Sequence, residues 1–203
     1  MELKAENISF KYRNSRQILK DFSISIPQNK IIGLMGDSGS GKSTLCKIIT
    51  GYINKYDGKV TIDNNTIDKK GFYPVQLIFQ HPEKTMNPKW KMSKVLEESW
   101  SPPQELRDEF GIKDIWYNRF PSELSGGELQ RFSILRALNP KTKFIIADEI
   151  TTMLDAVTQV QIWTSFANYC KENNIGILAV SHDKPLLEEI CDDIIDFNEV
   201  NNV

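Results

Sequence analysis

The chain has 203 residues, of which 25 are Lys or Arg and 27 are Asp or Glu, giving a formal net charge of −2 at neutral pH. Proteins that grip DNA or RNA carry a basic surplus, so this balance argues against a nucleic-acid partner. Met1-Glu2-Leu3-Lys4-Ala5-Glu6 holds no apolar signal core, and no apolar run approaches the roughly 20 residues that span a bilayer, so the chain is not expected to cross a membrane by itself.

Residues 2–12 and 17–26 alternate in the manner of half-buried strands, and residues 30–35 form the continuous apolar run of a buried one. A helix is predicted from Thr44 through Ile49, with Leu45, Ile48 and Ile49 at helical spacing and Gly51 at its C-terminal end. Residues 58–67 predict a hairpin around Asn64-Asn65. From 82 to 121 the texture changes to prolines, four charged or amphipathic helical pieces, and Trp90, Trp100 and Trp116. This predicts a helical subdomain, residues 81–131, inserted into a core made of 1–80 and 132–203. Apolar runs return at 144–147 and 175–180, separated by an amphipathic helix that places Val160, Trp163, Ala167 and Cys170 on one side, and a last strand follows at 194–197. Cys46, Cys170 and Cys191 follow no metal-ligand spacing and are expected to be reduced core thiols of a cytosolic protein. Strands alternating with helices predict an α/β domain with a parallel core, and the first third adds a hairpin-rich β layer.

Between the run at 30–35 and the first helix stands Gly36-Asp37-Ser38-Gly39-Ser40-Gly41-Lys42-Ser43, the phosphate-loop pattern G-x-x-x-x-G-K-[ST]. Glycines let the backbone curl so that several N–H groups face one anion, and the helix adds its positive end. Lys42 suits the β- and γ-phosphates, and the Ser43 hydroxyl suits Mg²⁺. A plain glycine-rich turn accounts for the loop but not for its strand-to-helix setting.

Three further apolar runs end in polar groups: Leu77-Ile78-Phe79 in Gln80, residues 144–147 in Asp148 and Glu149, and Leu178-Ala179-Val180 in Ser181 and His182. Ligands of open parallel sheets bind outside the carboxyl ends of the strands, so these groups are expected to converge on one crevice. Successive strand side chains point opposite ways. Asp148 is therefore assigned to Mg²⁺ and Glu149 to the attacking water as general base. In Leu124-Ser125-Gly126-Gly127-Glu128-Leu129-Gln130-Arg131, Ser125 and Glu128 have capping-box spacing, and the two glycines leave first-turn N–H groups uncovered. That is a second anion-seeking helix start.

Together these segments resemble the ATP-binding subunits of ABC transporters, in the expected order over nearly the whole chain. Residues 36–43 resemble the Walker A loop, Gln80 the Q-loop glutamine and residues 124–131 the signature. Residues 144–149 resemble the Walker B strand, Met153-Leu154-Asp155-Ala156 the D-loop, and His182 the switch histidine. Phe10-Lys11-Tyr12 resembles the A-loop, which would set Tyr12 under adenine. The resemblance implies a P-loop NTPase (RecA-like) parallel-sheet core with an antiparallel β subdomain and an inserted α-helical subdomain. It implies Mg-dependent ATP hydrolysis with Glu149, His182, Gln80 and Lys42 catalytic, residues 36–43 with Thr44 on the nucleotide, and Ser43, Gln80 and Asp148 at the metal. It also implies head-to-tail pairing with a second ATP-binding subunit. Ser125, Gly126, Gly127 and Asp155 would then serve the partner's ATP, with permease subunits holding the pair at the cytoplasmic face of the membrane and a solute-binding protein acting indirectly.

Phe79-Gln80-His81-Pro82 with Met86-Asn87-Pro88, and residues 146–155, resemble the oligopeptide, dipeptide and nickel importers, which implies uptake of peptides, nickel or a metal chelate. Two departures stand out. Ile150 occupies the place where proline usually follows the glutamate, which loosens one turn constraint. Only residues 81–123 separate Gln80 from Leu124, so the helical subdomain is trimmed. An exporter ATPase, a soluble ABC-type ATPase acting on DNA or ribosomes, and a noncatalytic nucleotide-gated regulator are the alternatives that the residues leave open.

Overall fold

The computed structural model describes residues 1–203 except 14, 15, 69, 153 and 202. In chain order the strands are β1 (Glu2–Phe10), β2 (Leu19–Pro27), β3 (Ile31–Met35), β4 (Asp57–Ile62), β5 (Asn65–Thr66), β6 (Val75–Ile78), β7 (Phe144–Asp148), β8 (Gly176–Ser181) and β9 (Asp193–Asp196). The helices are α1 (Lys42–Ile49), α2 (Met92–Glu97), α3 (Gln104–Glu109), α4 (Gly126–Ala137), α5 (Ala156–Glu172), α6 (Lys184–Ile190) and α7 (Phe197–Val200). β2-β1-β4-β5 form an antiparallel sheet, and β6-β7-β8-β3-β9 form a wholly parallel one. The α/β architecture expected from the sequence is present: parallel core, antiparallel layer and inserted helical segment.

β7 and β8 are buried along their whole length, as central parallel strands covered on both faces must be. Their alternate residues feed opposite layers. Ile146, Leu178 and Val180 meet Leu45, Ile48 and Ile49 of α1 and Phe22 and Ile24 of β2, so α1 is clasped between the two sheets. Ile145, Ala147, Ile177 and Ala179 face the other way, onto Phe132 and Leu135 of α4 and Ile162 and Phe166 of α5. Each buried Val, Leu, Ile or Phe among them contributes about 1.5–3 kcal/mol by leaving water. The parallel sheet therefore cannot shift against α1 without opening both layers.

Several expectations from the sequence are corrected in detail. β1 stops at Phe10 and β2 begins at Leu19, leaving Tyr12 and Gln17 outside the strands. The hairpin turn is centred on Asp63 and Asn64, not on Asn64 and Asn65, with φ of 48° and 63° at the two central residues. Two successive positive φ values define a type I′ turn, whose twist matches that of the strands it joins. Residues 82–121 hold two short α-helices, α2 and α3, and three 3₁₀ turns at Pro82–Lys84, Asp114–Asn118 and Pro121–Glu123, in place of four helical pieces. Prolines at the start of two of these turns break the longer pattern. The segment is pinned onto α4 by Trp100 Nε1 donating to the Leu135 carbonyl at 2.8 Å and by Arg136 donating to the Thr85 carbonyl at 3.1 Å.

On α5 the buried stripe is Ile162, Trp163, Phe166 and Cys170, whereas Val160 is 46% exposed. The i, i+4 pair Ile162 and Phe166 lies under the sheet and turns Val160 to the rim. Gly51, with φ of 76°, follows the C-cap Thr50 of α1. Cys46 and Cys170 are buried free thiols as expected, while Cys191 is only half-buried.

Gly176, the first residue of β8, has no room for a side chain: a Cβ there would lie 2.5 Å from the Pro27 carbonyl oxygen and 2.7 Å from Cδ1 of Phe144. A backbone oxygen cannot swing aside. Gly176→Ala is therefore expected to destabilise the fold by about 1–3 kcal/mol, read as a lower urea midpoint. An unchanged midpoint would show the contact between β2 and the parallel sheet to be compliant.

Candidate nucleotide site

The loop that leaves β3 closes on itself before entering α1. Gly41, the N-cap, has φ of 119°, and a Cβ there would stand 2.8 Å from Cγ2 of Ile18. Lys42 is 5% exposed, and its Nζ donates to the carbonyls of Gly36 and Asp37, each at 2.7 Å. The cation thus sits at the mouth of the loop on neutral acceptors that an anion would replace. Ser40 Oγ is buried and has no hydrogen-bond partner among the described residues.

Asp148 ends β7 and is 7% exposed, with the Ser43 hydroxyl beside it. Burial pushes its carboxyl above the ordinary range, against the pull of the Ser43 hydroxyl. Among the described residues no group of three or more His, Cys, Asp or Glu side chains is arranged to hold a metal. One hydroxyl and one carboxylate, both hard oxygen donors, fit Mg²⁺, which keeps few protein ligands and completes its shell with water and phosphate.

Glu149 leaves the strand at φ of 51°, a left-handed conformation costing on the order of 1–3 kcal/mol for a residue of this kind. Its amide still continues the sheet ladder, donating to the Val180 carbonyl at 3.0 Å. Its carboxylate is held by two neighbours: Oε2 accepts from Gln80 Nε2 at 2.8 Å, and Oε1 lies 3.2 Å from His182 Nδ1. Gln80 also reaches Thr152 Oγ1 at 3.4 Å. The ends of β6, β7 and β8 therefore bring together Gln80, Glu149 and His182, as the strand-end argument expects. The Gln80 amide is engaged with Glu149, while Ser43 and Asp148 form their own pair.

Two residues near the loop are absent from the sequence-based set. Phe197, directly after β9, would leave only 3.0 Å between its Cβ and a Cβ on Gly36, and its ring packs 5.1 Å from that of Phe22. Asn198 Nδ2 donates to Asp37 Oδ2 at 3.2 Å. A polar strand end at 196–198 was the available signal, but only the sheet order reveals that β9 runs beside β3. Tyr12 is 43% exposed, stands edge-on to Phe10 and places its hydroxyl 3.5 Å from Thr44 Oγ1.

The second anion-seeking helix start is built as its spacing predicts. The Ser125 amide donates to Glu128 Oε2 at 2.7 Å, and the Glu128 amide donates to Ser125 Oγ at 3.3 Å. Ser125, Gly126 and Gly127 line a cavity of about 870 Å³ together with Arg131, Leu154 and Asp155. No phosphate-loop residue lines it. Asp155 caps α5 by accepting from the Thr158 amide at 3.0 Å, and hydrogen bonds from Thr158 hold its carboxyl below the ordinary range. Met153, the first residue of that stretch, lies outside the described residues.

The family described as ABC transporter matches residues 19–152. The nickel import system ATP-binding protein NikE of Staphylococcus aureus is 29% identical over 206 aligned positions, covering 95% of this chain and 85% of its own. Among solved structures, a putative ABC transporter ATP-binding protein from Pyrococcus furiosus superposes with a TM-score of 0.81 over 100% of both chains at 17% identity, a likeness of fold. A dimeric ATP-binding cassette in a post-hydrolysis state, bound to ADP and Pi, superposes with a TM-score of 0.79 at 25% identity, covering 96% of this chain and 93% of that one.

The two left-handed glycines of the loop differ in what surrounds them. Gly41→Ala meets both the strained φ and the Ile18 contact, whereas a Cβ on Gly39, at φ of 80°, meets nothing within 4 Å. Calorimetric titration with Mg-ATP is expected to show affinity at least about tenfold weaker for Gly41→Ala, and a smaller loss for Gly39→Ala that reflects backbone strain alone. Equal losses would mean that the Ile18 contact does not shape the loop.

Proposed function

The chain belongs to the ABC transporter family as an ATP-binding subunit, and on that premise we propose that it is the ATP-hydrolysing motor of an importer for nickel or a nickel-binding small molecule. The observation that carries the catalytic part is the carboxylate of Glu149 held between Gln80 and His182, at the strand ends next to the phosphate loop. Support for the cargo comes from the nickel-import relative and from the resemblance of residues 79–88 and 146–155 to that importer group. Peptides are the neighbouring cargo class in the same group.

In this reading the phosphates enter over the amides at the start of α1, and Lys42 exchanges the Gly36 and Asp37 carbonyls for β- and γ-phosphate oxygens. Ser43 and Asp148 would hold Mg²⁺, whose charge offsets that of the phosphates. Tyr12 would lie under adenine. Glu149 accepts the proton of the attacking water as its oxygen bonds to the γ-phosphorus, and the bond from that phosphorus to the β-bridging oxygen breaks to release ADP. Gln80 would orient the carboxylate, and His182, which lies against Glu149, would turn to the γ-phosphate.

Within one chain the helix tip at 125–127 opens on a cavity that the phosphate loop does not border. A second ATP-binding subunit, docked head to tail, would bring that tip to this chain's triphosphate, and the dimeric cassette among the structural neighbours supports the arrangement. Hydrolysis would then remove the contacts that hold the pair together. Among the described residues no helix is long and apolar enough to cross a membrane. In this reading permease subunits would hold the chain at the cytoplasmic face of the membrane, as the likeness to an import-system ATP-binding protein suggests.

Glu149→Gln is expected to lower kcat by about 10²–10⁴-fold while retaining ATP. With Mg-ATP it should elute from size-exclusion chromatography as a dimer. Turnover at the wild-type rate would sink the general-base assignment. For the cargo, membranes carrying the complete transporter should accumulate radiolabelled nickel in an ATP-dependent manner, and accumulation of labelled peptide alone would move the assignment to the peptide class.

A further inference from the structure

The turn joining β7 to α5 starts with Glu149 and ends with Asp155. Glu149 sits in the left-handed region, which a long side chain keeps only where its surroundings enforce it. The enforcing contact is buried beneath the turn. Thr151 is 2% exposed, and its Oγ1 accepts a hydrogen bond at 3.1 Å from Nε1 of Trp163, which is 4% exposed on α5. The Trp163 ring packs 5.5 Å from Phe166, and Ile150 belongs to the same apolar cluster, so the indole is fixed from behind.

From Thr151 the constraint passes both ways along the turn. Its carbonyl accepts from the Leu154 amide at 3.0 Å. The adjacent Thr152 Oγ1 donates to the Glu149 carbonyl at 3.1 Å, and the same oxygen lies 3.4 Å from Gln80 Nε2. A turn anchored in this way cannot roll without leaving the buried Thr151 hydroxyl and the Trp163 indole N–H unpaired, which is costly in an apolar setting.

We infer that the hydrogen bond from Trp163 to Thr151 is the positioning element for Glu149, holding the turn that carries it. Trp163 and Thr151 are both buried; they act through the backbone that aims the carboxylate. The inference rests on the reading of Glu149 as general base.

The test is steady-state Mg-ATP hydrolysis by the full chain, with kcat and KM resolved, for Trp163→Phe, Thr151→Val, Thr151→Ser, the double variant Trp163→Phe/Thr151→Val, and Glu149→Gln. Displacement of a reacting group by about an ångström costs on the order of 100-fold, so Trp163→Phe and Thr151→Val are expected to lose about 10–100-fold in kcat with KM for ATP unchanged. Thr151→Ser keeps the hydroxyl and should turn over near the wild-type rate. The double variant should be no slower than the slower single variant, since both remove the same bond.

Wild-type kcat in Trp163→Phe and Thr151→Val would overturn the inference, as would KM rising in step with the loss, or Thr151→Ser failing as Thr151→Val does. Should Trp163→Phe fail to fold, Thr151→Val decides, because it exchanges one hydroxyl for a methyl. Failure of that variant to fold would also overturn the inference, since the hydroxyl would then hold the domain and not the carboxylate. Glu149→Gln separates the two readings. If it is inactive while the other variants are unaffected, only the positioning role falls; if it turns over normally, the general-base reading falls.

Discussion

Parallel pairing of β7 between β6 and β8 is the constraint on which the rest of the site depends. Ile78 stands opposite Ala147, and Asp148 opposite Val180, so the chain leaves these strands at nearly one level. β3 joins the same level through Met35 opposite Ser181 and Asp196. Gln80, Glu149, His182 and the phosphate loop are thereby delivered to one edge. A slip of one residue in any strand would send its terminal side chain to the opposite face, and the buried layers on both sides forbid that slip. The geometry of the candidate site is a by-product of apolar packing that was needed for folding in any case.

The phosphate loop depends on a second, smaller set of contacts. Ile18 and Phe197 crowd it at Gly41 and Gly36, where an added Cβ would stand 2.8 and 3.0 Å from them, and Asn198 donates to Asp37. Lys42 meanwhile rests on carbonyl oxygens of its own loop. Burial raises the proton affinity of Asp148, and the Ser43 hydroxyl opposes it. In the proposed reading these neutral partners would preorganise Lys42 and Asp148, lowering the reorganisation needed when phosphate charge enters.

The turn from Glu149 to Asp155 connects two regions with different duties. One end holds the carboxylate beside Gln80 and His182, and the other lines the cavity at the tip of α4. A displacement at the α4 cavity therefore has a short covalent route to Glu149, through a turn anchored by Trp163. In the proposed dimer that route would couple subunit contact to hydrolysis, with the buried anchor setting how much of the motion reaches the carboxylate.

The sequence by itself determined which residues are candidates for the site and which element carries most of them. Apolar runs of five or six residues, a glycine loop before a helix and a capping box are local patterns, and the backbone they specify is local too. The same locality accounts for the errors: the hairpin turn moved by one residue onto Asp63 and Asn64, and Val160 turned outward because Ile162 and Phe166 took the face beneath the sheet. Tertiary structure alone decided that Glu149 faces Gln80 and His182, across separations of 69 and 33 residues, and that β9 brings Phe197 and Asn198 against the loop. It also decided that Trp163 anchors Thr151. Such pairings follow from strand order and from how two apolar layers close around a sheet, and no stretch of local sequence contains the entropy and packing balance that selects that order.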